Sequence, residues 1–173
     1  MVDARHGCAP VPAHSQKTEL KLSEHLTDDG RINATAIDLL CDFVKSSLDV
    51  AEDVGVTEIM AFATSAIREA VNGEAVIAEV EARTGVRLQV LSGDDEARLT
   101  FLAVRRWFGW SSGRVMVLDI GGGSLEIAIG ADEDPDVAVS VPLGAGRLTR
   151  DHFRHDPPTA EEVRALRKLA RVE

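Results

Sequence analysis

The spacing of apolar residues changes along this chain from the period of helices to that of strands. Up to about residue 108, helical repeats alternate with short apolar runs, whereas three apolar runs follow one another between residues 114 and 142. Helices place apolar residues three or four positions apart, and strands place them in short runs or at every second position. The pattern therefore predicts an α/β protein in which strands and helices alternate before three consecutive strands begin.

Capping residues and glycines set the predicted ends of these elements. The helix that starts at Ser92 runs to about Phe108 and carries Ala97, Phe101 and Val104 on one face. Helix starts are predicted at Thr35 (a capping box with Asp38), Asn72, Ser92 and Thr159 (a capping box with Glu162), and helix ends at Gly55 and Gly85. Strands are predicted over residues 19–23, 58–63, 87–91, 114–119, 124–129 and 136–142, and a loop over 64–70.

The clearest chemical signal is a glycine-rich turn between two of the predicted strands. The turn consists of Gly121, Gly122, Gly123 and Ser124. Glycines let successive backbone N–H groups close on an anion, and the serine adds a hydroxyl donor. Asp119 and Glu126 flank the turn with hard oxygen ligands, which suit Mg²⁺ that bridges phosphate oxygens. The alternative is a plain β-hairpin, which needs one or two glycines and not three.

Composition narrows the classes of function. The chain has 173 residues, 45% of them hydrophobic, and a net charge of −10, which argues against a general binder of DNA or of anionic membranes. No run of eighteen apolar residues predicts a membrane span. Cys8 and Cys41 give neither a metal-binding spacing nor a disulfide framework, and the N-terminus shows no secretory signal. We therefore expect a cytoplasmic protein.

Several stretches occur in an order that resembles the exopolyphosphatase / guanosine pentaphosphate phosphatase family. They are ATSAIREAVNGE (63–74), LSGDDEARL (91–99), DIGGGSLE (119–126), LGAGRLT (143–149) and DPPT (156–159). The resemblance covers roughly residues 18 to 165 and is closest to the shorter, actinobacterial-type members. Several ordered motifs are far more specific than any one of them.

The resemblance implies an actin-like, ribonuclease-H-like α/β fold. Residues 1–110 would form a first lobe, and residues 111–173 the beginning of a second. The family cleaves terminal phosphates from inorganic polyphosphate, and some members cleave them from pppGpp, with Mg²⁺ or Mn²⁺. The implied partners are therefore polyphosphate or pppGpp as substrate, without DNA or membrane, and a homodimer is common in the family.

The resemblance also implies roles for particular residues. Glu96 matches the catalytic base that activates water, and Arg68 matches an arginine that borders the substrate cleft. Asp119 and Glu126 match metal-associated carboxylates. The turn at residues 121–124 matches the family's second phosphate loop, and Gly144 lies in a further matching stretch.

The residues themselves leave alternatives open. Glu96 is also a first-turn acid that the helix dipole stabilises, together with Asp94 and Asp95. Arg68 could be a surface residue at a helix entry, although its place after an apolar strand favours ligand contact. Gly144 either brings the backbone close to phosphate or only forms a turn.

One departure from the family pattern concerns the first phosphate loop, of the form D-x-G-S-N-S/T, which this sequence lacks. Met1 to Ala4 resembles the end of the strand that should follow that loop, and the second lobe is short. We therefore expect a chain that is truncated at both ends. A non-catalytic binder of phosphate or nucleotide, an inactive relative, and an actin-like ATPase or kinase are the alternatives.

Overall fold

The computed structural model describes residues 1–3 and 11–172, so Cys8 lies outside the described residues. The strands are β1 (Val2–Asp3), β2 (Val11–Pro12), β3 (Phe62–Ala63), β4 (Gln89–Val90), β5 (Val115–Ile120), β6 (Leu125–Gly130) and β7 (Val137–Val141). The helices are α1 (Ala34–Asp53), α2 (Ser65–Arg68), α3 (Gly73–Thr84), α4 (Gly93–Phe108), α5 (Ala145–His152) and α6 (Ala160–Leu169). Within the described ranges, no helix has both the length and the apolar character that crossing a bilayer requires.

Three small sheets organise these elements. β1 and β2 pair antiparallel, β3 and β4 pair parallel, and β5, β6 and β7 form an antiparallel sheet in that order. The parallel pair encloses α2 and α3 in the chain, as a βαβ unit requires. The predicted change from alternating elements to three consecutive strands is confirmed.

Some local predictions are wrong. The strand predicted over residues 19–23 is absent, because Lys21 has a left-handed backbone (φ 46°) and a 3₁₀-helix follows at Leu22–His25. The capping box at Thr35 is also absent, since the Asn33 side chain caps α1 by accepting a hydrogen bond from the Ala36 N–H at 2.9 Å. The loop predicted over residues 64–70 contains the short helix α2.

A first core packs α1 against α3. Its most buried members include Ala36, Cys41, Val76 and Val80, and burial raises the pKa of the Cys41 thiol. Asn72 stands at the start of α3, but its side chain does not cap that helix. Its amide instead accepts a hydrogen bond from the Ile32 N–H at 2.8 Å and donates one to the Ile32 carbonyl at 2.9 Å, which ties the starts of α1 and α3 together.

A second core packs α4 against the three-stranded sheet. Phe101 is fully buried and forms a cluster with Val117 and Ala128, and Val104 packs against this cluster. The face predicted for α4 is therefore confirmed, with Ala97 1% exposed. α4 belongs to the predicted first lobe and the sheet to the predicted second, yet they share this core. The division into lobes at residue 110 therefore stays a prediction.

Arg105 holds the connector between α4 and β5. Its side chain is buried, donates hydrogen bonds to the Ser112 hydroxyl at 3.0 Å and the Gly113 carbonyl at 2.6 Å, and lies 4.7 Å from the ring centre of Trp110. A guanidinium over an aromatic face is attracted electrostatically. The connector therefore fixes how β5 leaves α4 and, through β5, where the glycine turn stands.

Candidate active site

The glycine turn joins β5 to β6 and presents backbone donors. It closes on itself through a hydrogen bond from the Gly121 N–H to the Ser124 carbonyl at 2.9 Å. Gly123 and Ser124 are buried. The N–H groups of Gly122, Gly123 and Ser124 make no hydrogen bond with another residue that the structure describes. Buried backbone donors are nearly always paired, so this turn has the character of an anion-binding site.

The start of α5 supports the turn by taking up its carbonyl oxygens. The bonds run from the N–H groups of Gly144, Ala145 and Arg147 to the carbonyl oxygens of Gly123, Gly121 and Gly122, at 3.3, 2.9 and 2.9 Å respectively. A Cβ on Gly144 would collide with the backbone of Gly123 and Ser124, so only glycine fits there. Gly144 thus lies directly against the turn, and all four turn carbonyls accept hydrogen bonds.

The two predicted metal-associated carboxylates lie side by side. Asp119 and Glu126 are register partners across β5 and β6, so their side chains emerge on the same face of the sheet. Asp119 is exposed, whereas Glu126 is 3% exposed and its Oε1 accepts a hydrogen bond at 2.7 Å from Ser140 on β7. A carboxylate that remains buried needs such partners.

These carboxylates suit one kind of metal site. Among the described residues, no group of three or more His, Cys, Asp or Glu side chains could hold an ion by itself. Mg²⁺ keeps several water ligands and binds through one or two carboxylates together with substrate phosphates. Asp119 and Glu126, which flank the glycine turn, fit that donor set.

Arg68 and Glu96 contact each other at the carboxyl ends of the parallel strands. α2 follows β3 and α4 follows β4, and parallel neighbours place both following segments at one edge of the sheet. Arg68 Nη1 donates to Glu96 Oε2 at 3.0 Å and to the Leu91 carbonyl at 2.9 Å. Both side chains are mostly buried, at 21% and 18% exposure. Ser92 caps α4 as predicted and so fixes the turn that carries Glu96.

Two glycines bring the α2–α4 residues against the hairpin. A Cβ on Gly93, the first residue of α4, would overlap the Ser140 side chain and lie 3.7 Å from Arg68 Nη2. A Cβ on Gly123 would lie 2.9 Å from the hydroxyl of Ser65, the first residue of α2. The predicted base, arginine, phosphate loop and buried carboxylate therefore belong to one continuous group of contacts.

Comparison with known proteins places this group in a family. The model of the Ppx/GppA phosphatase family matches residues 1–173. The chain belongs to the Ppx/GppA phosphatase family. It is 53% identical over 167 residues to exopolyphosphatase 1 of Mycobacterium leprae and 51% identical to exopolyphosphatase 1 of Mycobacterium tuberculosis. These alignments cover 96% of this chain and 49% and 48% of the relatives, so the chain spans about half the length of the curated relatives it matches.

Solved structures of Ppx/GppA proteins share the fold. An exopolyphosphatase from Cytophaga hutchinsonii superposes with a TM-score of 0.84 at 26% identity, over 93% of this chain and 51% of its own. A Ppx/GppA family member from Aquifex aeolicus has a TM-score of 0.65 at 31% identity, over 84% of this chain and 47% of its own. The predicted family and the predicted actin-like α/β fold are confirmed.

Three residues that contact the candidate active site are not among the predicted site residues. Ser140 bonds to Glu126, and Glu69 on the α2 side forms an ion pair with Arg147 on α5. Glu69 directly follows Arg68, and Arg147 lies in the LGAGRLT stretch, so motif membership could have found both. Ser140 lies in a strand without a motif, and only the register of β7 against β6 reveals it.

A cavity lies between α1, β3 and the start of α2. It has a volume of about 680 Å³ and is lined chiefly by apolar residues of α1 and β3, among them Leu40, Val44, Leu48 and Phe62. Such a wall offers almost no donors to a phosphate. The candidate active site is therefore the surface around the glycine turn and not this apolar cavity.

Proposed function

We propose that this chain carries the site of a phosphoanhydride hydrolase that releases the terminal phosphate of inorganic polyphosphate. The observation that carries the proposal is a turn whose backbone donors have no partner among the described residues and which lies against Ser65 of α2, the helix whose Arg68 pairs with Glu96. The backbone N–H groups of the turn are suited to bind a phosphate, and the Glu96 carboxylate is suited to activate a water molecule. The mycobacterial relatives named exopolyphosphatase support the same reaction.

In this proposal the glycine turn holds the terminal phosphate. The N–H groups of Gly122, Gly123 and Ser124 would donate to its oxygens, and the Ser124 hydroxyl would add a fourth donor. Backbone donors that are fixed before the reaction stabilise developing charge without the cost of reorganisation. Asp119 and Glu126 would hold Mg²⁺ or Mn²⁺, which supplies charge neutralisation at the phosphate oxygens when bound.

Glu96 would accept the proton of the attacking water. The water oxygen forms a bond to the terminal phosphorus, the bridging P–O bond breaks, and the shortened polyphosphate leaves with the bond's electron pair. Arg68 orients the Glu96 carboxylate through the 3.0 Å hydrogen bond and is itself fixed by the Leu91 carbonyl. Positioning and charge stabilisation provide most of the catalysis in such a reaction.

The finer assignments are part of the same proposal. Hydrolysis of pppGpp, a homodimer, a cytoplasmic location and the division into lobes at residue 110 all rest on the family resemblance or on composition. No observation on the described residues favours an actin-like ATPase, a kinase or a non-catalytic binder.

The test is calorimetric titration of the chain with tripolyphosphate, with and without Mg²⁺, while phosphate release is measured on the same samples. We expect Mg²⁺-dependent binding and release that the double substitution Asp119→Asn with Glu126→Gln removes. The matched control is Asp132→Asn, which removes a carboxylate in the turn after β6, beyond the other end of that strand. Equal binding by the unmodified chain and the double variant would contradict the proposed site.

A further inference from the structure

An ion pair between Glu69 and Arg147 joins the α2 side of the site to α5. Arg147 Nη2 contacts Glu69 Oε2, and the two side chains are 28% and 35% exposed. The backbone N–H of Arg147 is bonded to the Gly122 carbonyl, so this residue is fixed against the glycine turn. Its Nη2 lies 4.0 Å from the place that a Cβ on Gly123 would occupy.

The guanidinium of Arg147 has a donor, Nε, without a hydrogen-bond partner among the described residues. This Nε is also buried. A buried donor without a partner costs free energy unless a ligand or water satisfies it. Arginine presents its five N–H groups as a planar fork that matches two phosphate oxygens at once. Arg147 therefore has the position of an oxyanion ligand and a buried donor, Nε, that no described residue satisfies.

Charges of opposite sign alternate across the site. Glu96 pairs with Arg68, Arg68 Nη2 lies 4.0 Å from Glu69 Oε1, and Glu69 pairs with Arg147. Both arginines are thus neutralised by the chain's own glutamates. A phosphate that binds Arg147 competes with the Glu69 carboxylate for the same donor.

We propose that Arg147 binds the second phosphate of the substrate, next to the phosphate on the glycine turn, and that this phosphate displaces Glu69 from it. The proposal rests on the proposed function. Three N–H groups and a hydroxyl on the turn suffice for the oxygens of one phosphate, and Arg147 stands directly beside them. The site would thereby bind phosphoanhydrides more tightly than orthophosphate. Glu69 would lower the affinity that Arg147 provides, because the phosphate must first displace the Glu69 carboxylate.

The experiment is calorimetric titration with tripolyphosphate and with orthophosphate at constant ionic strength and Mg²⁺ concentration. Arg147→Gln should weaken tripolyphosphate binding by about ten- to a hundredfold, because a hydrogen bond to a charged group is lost, and should change orthophosphate binding much less. Glu69→Gln should tighten tripolyphosphate binding, because no carboxylate then competes for Arg147. If Arg147 binds the ligand, the two substitutions change the tripolyphosphate affinity in opposite directions. If the ion pair is only structural, losing either partner changes the affinity in the same direction.

Arg83→Gln is the matched control. Arg83 is 31% exposed and pairs with Asp38 at 2.7 Å, which joins α3 to α1, and its loss should leave both titrations unchanged. Urea unfolding of each variant verifies that it folds, and Glu69→Gln still tests the proposal if Arg147→Gln does not fold. Tripolyphosphate binding that is equal in the unmodified chain and in Arg147→Gln, or that weakens in Glu69→Gln, would overturn the assignment alone. Failure of the unmodified chain to bind tripolyphosphate would overturn the proposed function together with it.

Discussion

The two halves of the candidate active site are built from different parts of the polypeptide. The hairpin half consists of the glycine turn and the start of α5, and three of the turn's donors and all of the hydrogen bonds from α5 that support the turn come from the backbone. The helix half consists of α2 and the first turn of α4, and its contacts are between charged side chains. Backbone donors cannot change their charge or be exchanged, whereas side-chain pairs can do both. Holding the phosphate therefore suits the hairpin half, and moving a proton suits the helix half.

The packing of α4 on the sheet connects the two halves, and disrupting it should have the largest effect. Phe101 is fully buried where α4 packs on the sheet, so Phe101→Ala should lower the free energy of unfolding by about 3–5 kcal/mol. Urea unfolding measures this, and Trp107→Ala on the same helix, 84% exposed, should cost less than about 0.5 kcal/mol. Similar losses in the two variants would mean that α4 does not hold the sheet in place.

A substitution in the helix half should separate catalysis from binding. Glu96→Gln should slow phosphate release by about 10²–10⁴-fold, the usual contribution of a general base, and leave tripolyphosphate binding intact. Asp94→Asn changes an exposed acid in the same helical turn and should keep full activity. Undiminished release by Glu96→Gln would remove the proton-transfer role from this half, and the measurement is initial rates at saturating substrate.

A substitution in the hairpin half should instead affect folding and binding together. Gly144→Ala forces a Cβ into the backbone of the glycine turn and should cost about 1–3 kcal/mol in unfolding free energy. Its tripolyphosphate affinity should fall as well. Gly121→Ala, whose Cβ would meet only the Ser124 carbonyl at 3.3 Å, should cost less. If Gly144→Ala lost neither stability nor affinity, α5 would not support the turn.

The smallest expected effect lies outside both halves. Hydrogen bonds from the Thr159 and Arg154 N–H groups and from His155 lower the pKa of Glu162 from 4.5 to about 2. A lowered carboxyl pKa stabilises the fold above pH 4.5, and the contribution is lost as the pH falls towards 2. NMR titration of the Glu162 carboxyl measures the pKa, and Glu162→Gln should flatten stability over that pH range. A titration at the ordinary value would contradict the capping contacts.

The sequence predicted best where a residue acts through its own local pattern. Ser92 and the Thr159–Glu162 box cap their helices as expected, because both interactions span only three residues. The buried face of α4 followed from helical spacing alone. The motifs assigned Arg68 and Glu96 to one predicted site, and the two side chains are in contact, although only the parallel pairing of β3 and β4 shows why they touch.

The failures have physical reasons as well. α5 was not predicted because its N-cap is Gly144, which has no capping side chain, and turn carbonyls accept the helix's first N–H groups instead. The strand over residues 19–23 failed because alternation alone does not reveal the left-handed backbone at Lys21. Asn72 was predicted to cap α3, but its amide binds Ile32, forty residues earlier in the chain.

The hydrogen bonds from α5 give the glycine turn a chemical polarity before any solute arrives. Each of its four carbonyls already has an N–H partner, while three of its N–H groups have none among the described residues. Sulfate, arsenate and vanadate carry the same tetrahedral oxygens as phosphate and would compete for these donors. Sulfate or phosphate left from purification would therefore mask the binding of polyphosphate. Titrations of this protein should be carried out in a buffer that contains no oxyanion.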